Sequence, residues 1–510
     1  MTFLSNIKLI QGGMGVYVSN WRLARAVACE KPGVTAGTVS GTALDVVHVR
    51  LLQLGDPGGH LRRALAAFDA QFEVEIGKKI IDQYFIEGGK TPNERFKYGP
   101  QQTIRAKDSS RNIFMPNEQK EPVTLVLEDS LIELLIATAY AEVWLAKQGH
   151  NGIVLINFLN KVELPLLYAI YGAMLAGVDG IVVGAGNPEG LPATCTLLAQ
   201  HSAVTNEVAL LYRESGEIFQ LCFDPRSIAN GRLAQVPLNR PAFLAIVAQE
   251  NLVNALAHSP TQPPDGFIIE HHTAGGHNAP PQGPLKKDDL NQPIYNEQDE
   301  PDLAAIRREG LPFWLAGGYG SRDKLAAALA AGANGVQVGS TFALAEESGI
   351  SSTHRIAIFR ALRNGVSDED LIRTTLFSPT GFPFKVAQLD GTLSDEVVYS
   401  SRRRVCDLGF LQKSGLSKPE VDGSRSIFQR CPAAPLKDFT SKRGLPFNTD
   451  DKRCLCNGLL AGVGLGQINP QYGEEPALVT LGNHLDGIRR LSRQGQTSYW
   501  VNDVVNDILE

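Results

Sequence analysis

The chain has 510 residues, 43% hydrophobic and 20% charged, with a formal net charge of −6. This is an ordinary globular balance, long enough to bury a large core and to hold more than one structural unit. It excludes a strongly basic nucleic-acid binder, no basic run with interleaved aromatics occurs, and no apolar run is long enough to span a membrane.

Strand and helix signals alternate from the start, as in α/β proteins. Ile7 to Ile10 reads as a first strand, ending in Gln11-Gly12-Gly13-Met14-Gly15. A helix is predicted from about Asn20 to Glu30, with Trp21, Leu23, Ala24 and Val27 facing inward. Val34 to Val39 is a second strand. The stretch from Asp56 to Val123 breaks the rhythm with Gly58-Gly59, Gly88-Gly89 and Met115-Pro116, and reads as an inserted, partly helical subdomain. A helix from about Ser130 to Gln148 leads to strand three, Ile153 to Asn157. A helix near Pro165 to Leu175 leads to strand four, Gly180 to Val183. Val208 to Phe223 suggests a hairpin-like insertion. Phe243 to Val247 and Gly266 to Ile269 are strands five and six, Phe313 to Ala316 and Val336 to Val338 strands seven and eight. Eight strands with ligand-friendly ends predict a (β/α)8 TIM barrel over 1–55 and 124–345. The subdomain 56–123 is inserted in it, and a cysteine-containing C-terminal extension spans 346–510. A doubly wound sheet is the structural alternative.

Two motifs carry chemistry. Strand six runs into His271-His272-Thr273-Ala274-Gly275-Gly276-His277. Gly275 and Gly276 let a flat ligand lie against the backbone, and an imidazole at His277 can move a proton near neutral pH. If the strand continued, His271 and His272 would point to opposite sides, and a structural role suits them better than a catalytic one. The second motif follows strands seven and eight: Gly317-Gly318, then Gly339-Ser340-Thr341, with Ser321 capping a helix between them. Such turns expose backbone N–H groups, and in (β/α)8 barrels this is the usual phosphate site. Past strand eight, Ser378-Pro379-Thr380-Gly381-Phe382-Pro383-Phe384-Lys385 reads either as a rigid surface turn or as an active-site wall. This loop and the insertion are expected to shape the pocket.

Gln11-Gly12-Gly13-Met14-Gly15, Ala274-Gly275-Gly276-His277, Ala316-Gly317-Gly318 and Gly335-Val336-Gln337-Val338-Gly339-Ser340-Thr341-Phe342 resemble the nitronate monooxygenase (2-nitropropane dioxygenase-like) family, in its longer bacterial branch. The superfamily includes FMN-dependent enoyl-acyl-carrier-protein reductases. The resemblance implies a TIM barrel with FMN across the strand ends and His277 as the catalytic base or orienting group. It implies Gly317, Gly318, Gly339, Ser340 and Thr341 around the phosphate, Gly12, Gly13 and Met14 over the ring system, and Asn157 as a polar flavin contact. Gln249 lies near a further cofactor-contacting position. Short members carry Glu where this chain has Thr273, and lack both the insertion and the last 110 residues or so.

The implied activity is FMN-dependent oxidation of a small nitronate or nitroalkane with oxygen. The alternative on the same barrel is reduction of an enoyl thioester by NAD(P)H. A non-catalytic phosphate-ligand barrel is the alternative from another class. A sugar-phosphate isomerase or lyase fits less well, because the strand ends offer mainly glycine, Asn157 and His rather than a lysine or acidic pair. Neither a membrane nor a nucleic acid is an expected partner. Met1 to Lys8 lacks a secretory signal, and seven cysteines make no secreted disulfide framework, so a cytoplasmic location is expected.

Cys406, Cys431, Cys454 and Cys456 crowd the end of the chain; four thiolates can hold a zinc ion or an iron–sulfur cluster, although buried or free thiols are the blander reading. Cys29, Cys195 and Cys222 read as core residues. Arg402-Arg403-Arg404 reads as a solvated helix face or as a contact with an acidic neighbouring segment. Trp500 to Leu509 reads as an amphipathic helix that can dock on the barrel or on a second subunit, which leaves a homo-oligomer open.

Overall fold

The eight predicted strands close into one parallel barrel. In the computed structural model they are β1 (Leu9–Gln11), β2 (Thr35–Ser40), β3 (Ile153–Leu159), β4 (Gly180–Gly184), β5 (Ala242–Val247), β6 (Gly266–Glu270), β7 (Phe313–Ala316) and β8 (Gly335–Val338). Each pairs in parallel with its sequence neighbour, and β1 pairs with β8, Leu9 opposite Val336, to complete the ring. A doubly wound sheet has open edges and is excluded by that pairing. The structure describes residues 3–100, 102–107, 113–114, 121–403, 406–469, 471, 473–492 and 496–510. Met115, Pro116 and Arg404 lie outside them.

The strands are apolar on both faces because each face packs against something. One set of side chains, including Ile10, Leu155, Val182, Leu244, Ile268 and Trp314, fills the barrel interior. Trp314 is fully buried, and its Nε1 donates to the Ile7 carbonyl at 2.9 Å. Leu9, Val154, Ile156 and Phe267 belong to the larger core between barrel and helices. The helix Trp21–Glu30 starts at Asn20, whose side chain accepts from the amides of Arg22 and Leu23, and it buries Leu23, Ala24 and Val27 as predicted.

The helices Asp129–Ala146 and Glu163–Leu175 are buried nearly all round, which requires a further layer outside them. The insertion supplies it. Its helix His60–Phe72 packs Phe68 and Phe72 edge-on against Tyr140, with ring centroids 4.9 and 5.9 Å away. A buried His48–Glu142 pair (2.8 Å) ties helix Leu44–Gln53 to Asp129–Ala146, and Glu142 also accepts from the amide of Trp21. The expected hairpin is present, Val204–Glu207 against Phe219–Phe223, and it joins Val123–Val126 and Arg105–Ala106 in a four-stranded sheet.

The C-terminal extension is not a separate body. Ile113–Phe114 of the insertion pairs with Arg425–Arg430 of the extension. The strand Pro383–Ala387 pairs with Ile372–Phe377 on one side and with Gly276–His277 on the other, His277 opposite Phe384. The predicted 378–385 loop is therefore the turn and second strand of a hairpin built against the His277 segment. The last helix, Val501–Leu509, packs on Trp21–Glu30 and on Arg322–Ala330. Two expected core cysteines are corrected: Cys195 is buried, but Cys29 and Cys222 are exposed. Cys222 takes the outward position of an alternating strand. No helix among the described residues is long and apolar enough to cross a membrane.

Candidate active site

A cavity of about 520 Å³ opens at the carboxyl ends of the strands, within the usual size of a cofactor or ligand site. Its floor is made of backbone. Gly12, Gly13 and Met14 follow β1, Asn157 sits near the end of β3, Gly275 to His277 follow β6, and Gly317, Gly318, Gly339, Ser340 and Thr341 follow β7 and β8; all line the cavity. The β1 turn is fixed by Ser19, whose hydroxyl accepts from the Met14 amide and donates to the Gly12 carbonyl, each at 2.9 Å. Asn157 Nδ2 donates to the Gly13 carbonyl at 3.1 Å. A Cβ on Gly13 would come within 2.1 Å of the Asn157 side chain, so that approach needs glycine. Gln249 is the exception. The structure does not bring it to the cavity: it sits at the start of the helix Glu250–Ala257 without a side-chain cap, and its amide donates to the Asp299 carbonyl at 2.9 Å.

At one end the glycine turns meet the extension. Gly317 and Gly318 have φ of +90° and +82°, a conformation that favours glycine. Ser340 Oγ accepts from the Gly482 amide at 2.7 Å, the Asn483 amide donates to the Thr273 carbonyl at 3.0 Å, and Tyr499 donates to the Thr341 carbonyl at 2.6 Å. Ser321, Lys324 and Arg490 stand at the rim. Ser321 caps the helix Arg322–Ala330, and Arg490 is held by the Gly320 carbonyl and Asp507. Glycine turns, a helix start and two basic side chains, Lys324 and the Asp507-paired Arg490, gather at this end, a lining suited to an anion.

The other end is made of side chains. His277 contacts Phe384 edge-on with centroids 4.7 Å apart, and its Nε2 is buried without a hydrogen-bond partner. Lys161, just past β3, lays its Nζ over the Phe382 ring at 4.3 Å; that nitrogen is also buried and unpartnered. Phe382 is a neighbour of the His277 ring as well, 6.4 Å between centroids. Glu270 ends β6 and lines the cavity. Burial depresses the Lys161 ammonium to about 7, against the opposing pull of Glu270. Burial, helped by Lys161, holds His277 well below the usual imidazole range, so it is neutral at pH 7. Glu270 is pushed up to about 7 by burial, offset in part by Lys385 and Lys161. The strand ends thus carry a lysine and a carboxyl group that the sequence reading left out. Phe410, Leu411, Leu459 and Leu481 of the extension roof the cavity, while no described residue of 56–123 lines it. Among the described residues, the pocket expected to be shaped by the insertion is walled by the barrel and the extension instead.

FMN fits this lining on two observations. The floor leaves Asn157 Oδ1 and Gln337 Oε1 buried and unpaired, as polar edges of a flat ring system would require. The far end is the anion cradle just described. The four clustered cysteines fit a metal less well. Among the described residues, no three of these sulfurs lie within 4.8 Å of one another, and Cys406 is exposed.

Residues 236–372 match the family model described as nitronate monooxygenase, which bears out the resemblance drawn from the glycine motifs. No curated protein matches the sequence. Solved structures that resemble the chain include FabK from Thermotoga maritima, 14% identical, covering 76% of this chain and 73% of that one, with a TM-score of 0.35. A nitroalkane oxidase from Streptomyces ansochromogenes is 13% identical, covering 76% and 79%, TM-score 0.36. The enoyl reductase domain of MlnA from the macrolactin cluster of Bacillus amyloliquefaciens is 10% identical, covering 98% and 93%, TM-score 0.41.

Proposed function

From the premise that residues 236–372 carry the domain of the nitronate monooxygenase family, a family of flavin-dependent oxidoreductases, we propose that this enzyme uses FMN to reduce an enoyl thioester at the expense of NAD(P)H. Gly12, Gly13, Met14, Asn157, Gly275 and Gly276 would hold the ring system. Gly317, Gly318, Gly339, Ser340 and Thr341 would hold the phosphate. FMN, when bound, supplies the relay of a hydride from the nicotinamide to the β-carbon of the substrate.

The observation that carries this reading is the pairing of two buried, unpartnered polar groups, Lys161 Nζ and His277 Nε2, around one aromatic ring. Hydride delivery to an enoyl thioester leaves negative charge on the α-carbon and carbonyl oxygen, and the reaction is completed by a proton. A neutral His277 donates a hydrogen bond to the thioester oxygen. Lys161, poised near 7, delivers the proton to the α-carbon. Glu270 favours the charged form of Lys161 until that transfer. The apolar roof of Phe410, Leu411, Leu459 and Leu481 suits an acyl chain and excludes water.

Oxidation of a nitronate with oxygen is the second reading. It is favoured by the same two donors, which match the two oxygens of a nitronate. The discriminating experiment is anaerobic rapid mixing. Under the first reading NAD(P)H bleaches the flavin and an enoyl thioester restores its colour, giving the saturated acyl thioester. If NAD(P)H leaves the flavin oxidised while a nitronate bleaches it and oxygen restores it, the reductase reading fails and the oxygenase reading stands.

A further inference from the structure

We propose that His271, His272 and Glu300 together bind one divalent transition-metal ion of the zinc, nickel or cobalt class, behind the cavity wall. Strand β6 stops at Glu270, so His271 and His272 lie in a turn and do not alternate. Their rings come to the same side, with centroids 4.0 Å apart. Glu300 meets His271 Nε2 through Oε1 at 2.8 Å. One ligand atom from each of the three residues lies within 4.8 Å of the others, the one such group of His, Cys, Asp or Glu side chains among the described residues. Two imidazoles and a carboxylate form a donor set suited to these ions, with bonds of about 2.0–2.2 Å for zinc.

The surroundings hold the ligands in place. His271 Nδ1 meets Thr273 Oγ1 at 2.8 Å, the outer hydrogen bond that fixes a metal-binding imidazole. His272 stacks flat on Tyr295, 3.8 Å between centroids and 6° between planes, and Tyr295 is anchored by the Ala279 carbonyl and Asn278. Glu300 follows a short turn, Glu297–Asp299, closed by a capping box between Asn296 and the buried Asp299. Asp299 also accepts from the Gln282 amide at 2.6 Å. A hydrogen bond between His271 and Glu300 explains two members of the group. It leaves His272, whose ring nitrogens meet no hydrogen-bond partner among the described residues, unexplained. None of the three residues lines the cavity. An ion here would clamp the 271–277 turn, which ends in His277, to the 295–300 segment.

The test loads chelator-treated, FMN-containing enzyme with Ni²⁺ and measures bound nickel per chain by mass spectrometry, affinity by calorimetry, and melting temperature. The wild type is expected to take up one ion per chain and to melt higher with it. Glu300→Gln, a conservative change at an exposed side chain, is expected to weaken binding by at least about tenfold. His272→Ala should abolish binding, and Cys431→Ser should leave it as in the wild type. Wild-type enzyme that takes up no nickel at micromolar ion overturns the proposal. So does binding that survives both Glu300→Gln and His272→Ala, or binding that is lost in Cys431→Ser. Flavin content, read from the same samples, separates a lost metal site from a misfolded chain.

Discussion

The two ends of the cavity are built in opposite ways. One end is backbone: glycine turns after β7 and β8, with positive φ at Gly317 and Gly318. The reactive end is side chain: Glu270 from β6, His277 from the turn after it and Phe384 from a hairpin about a hundred residues later line it, with Lys161 stacked on Phe382 beside the His277 ring. A backbone site tolerates many side chains but few backbone changes. A side-chain site is the reverse. Substitutions at the two ends should therefore fail differently, turnover at one and cofactor retention at the other.

The sharpest break of that contrast is His277→Ala. Losing the group proposed to steady the developing oxyanion should lower turnover by about 10²–10⁴-fold while the protein stays yellow. Flavin content and steady-state rate measured on one preparation check both halves; a colourless variant would place His277 in cofactor binding instead. Lys161→Met comes next, with an expected loss of about 10²-fold. Its pH dependence sharpens the assignment. The ammonium of Lys161 is present below its depressed value of about 7 and lost above it. Wild-type turnover should therefore fall as pH rises through 7, and the Met variant should lose that limb. An alkaline limb that persists in Lys161→Met would assign the proton to another group.

The same contrast explains what could be read in advance. All eight strands and the glycine turns that follow them were legible, because a buried strand followed by a glycine turn is a local pattern. Gly12, Gly13, Gly317, Gly318 and Ser340 each sit in such a pattern and each lines the cavity. His277 was legible for the same reason. Lys161 was not: nothing local separates it from a surface lysine, and the contact with Phe382 that helps bury it comes from a distant hairpin. Glu270 directly follows the predicted strand six, a position that should have drawn attention in a barrel. The roof was invisible, since Phe410, Leu411, Leu459 and Leu481 reach the site only through the path of the extension. Gln249 failed for a related reason, as its side chain turns back to Asp299.

Gly318→Ala carries the comparison to the anion end. A Cβ there needs the left-handed region and would meet His484 at 2.6 Å. A cost of about 1–2 kcal/mol corresponds to roughly tenfold weaker FMN, read as flavin lost on gel filtration. Retention equal to wild type would mean that His484 moves aside without disturbing the turn.

The smallest expected effect, Ser340→Ala, asks whether the extension is part of the anion end or merely covers it. Ser340 Oγ accepts from the Gly482 amide at 2.7 Å, and Gly482 lies against the carbonyl of Thr273 and the amide of Gly275. One hydroxyl therefore joins the phosphate turn, the extension and the backbone that leads to His277. Removing it leaves the Gly482 amide without its acceptor, a loss of about 1 kcal/mol. If the extension is integral, FMN should bind roughly fivefold more weakly, and residues 480–490 should exchange amide hydrogens faster. If it is only a cover, exchange should quicken while FMN affinity holds. That result would confine the anion end to the turns after β7 and β8, with the extension serving the apolar roof alone.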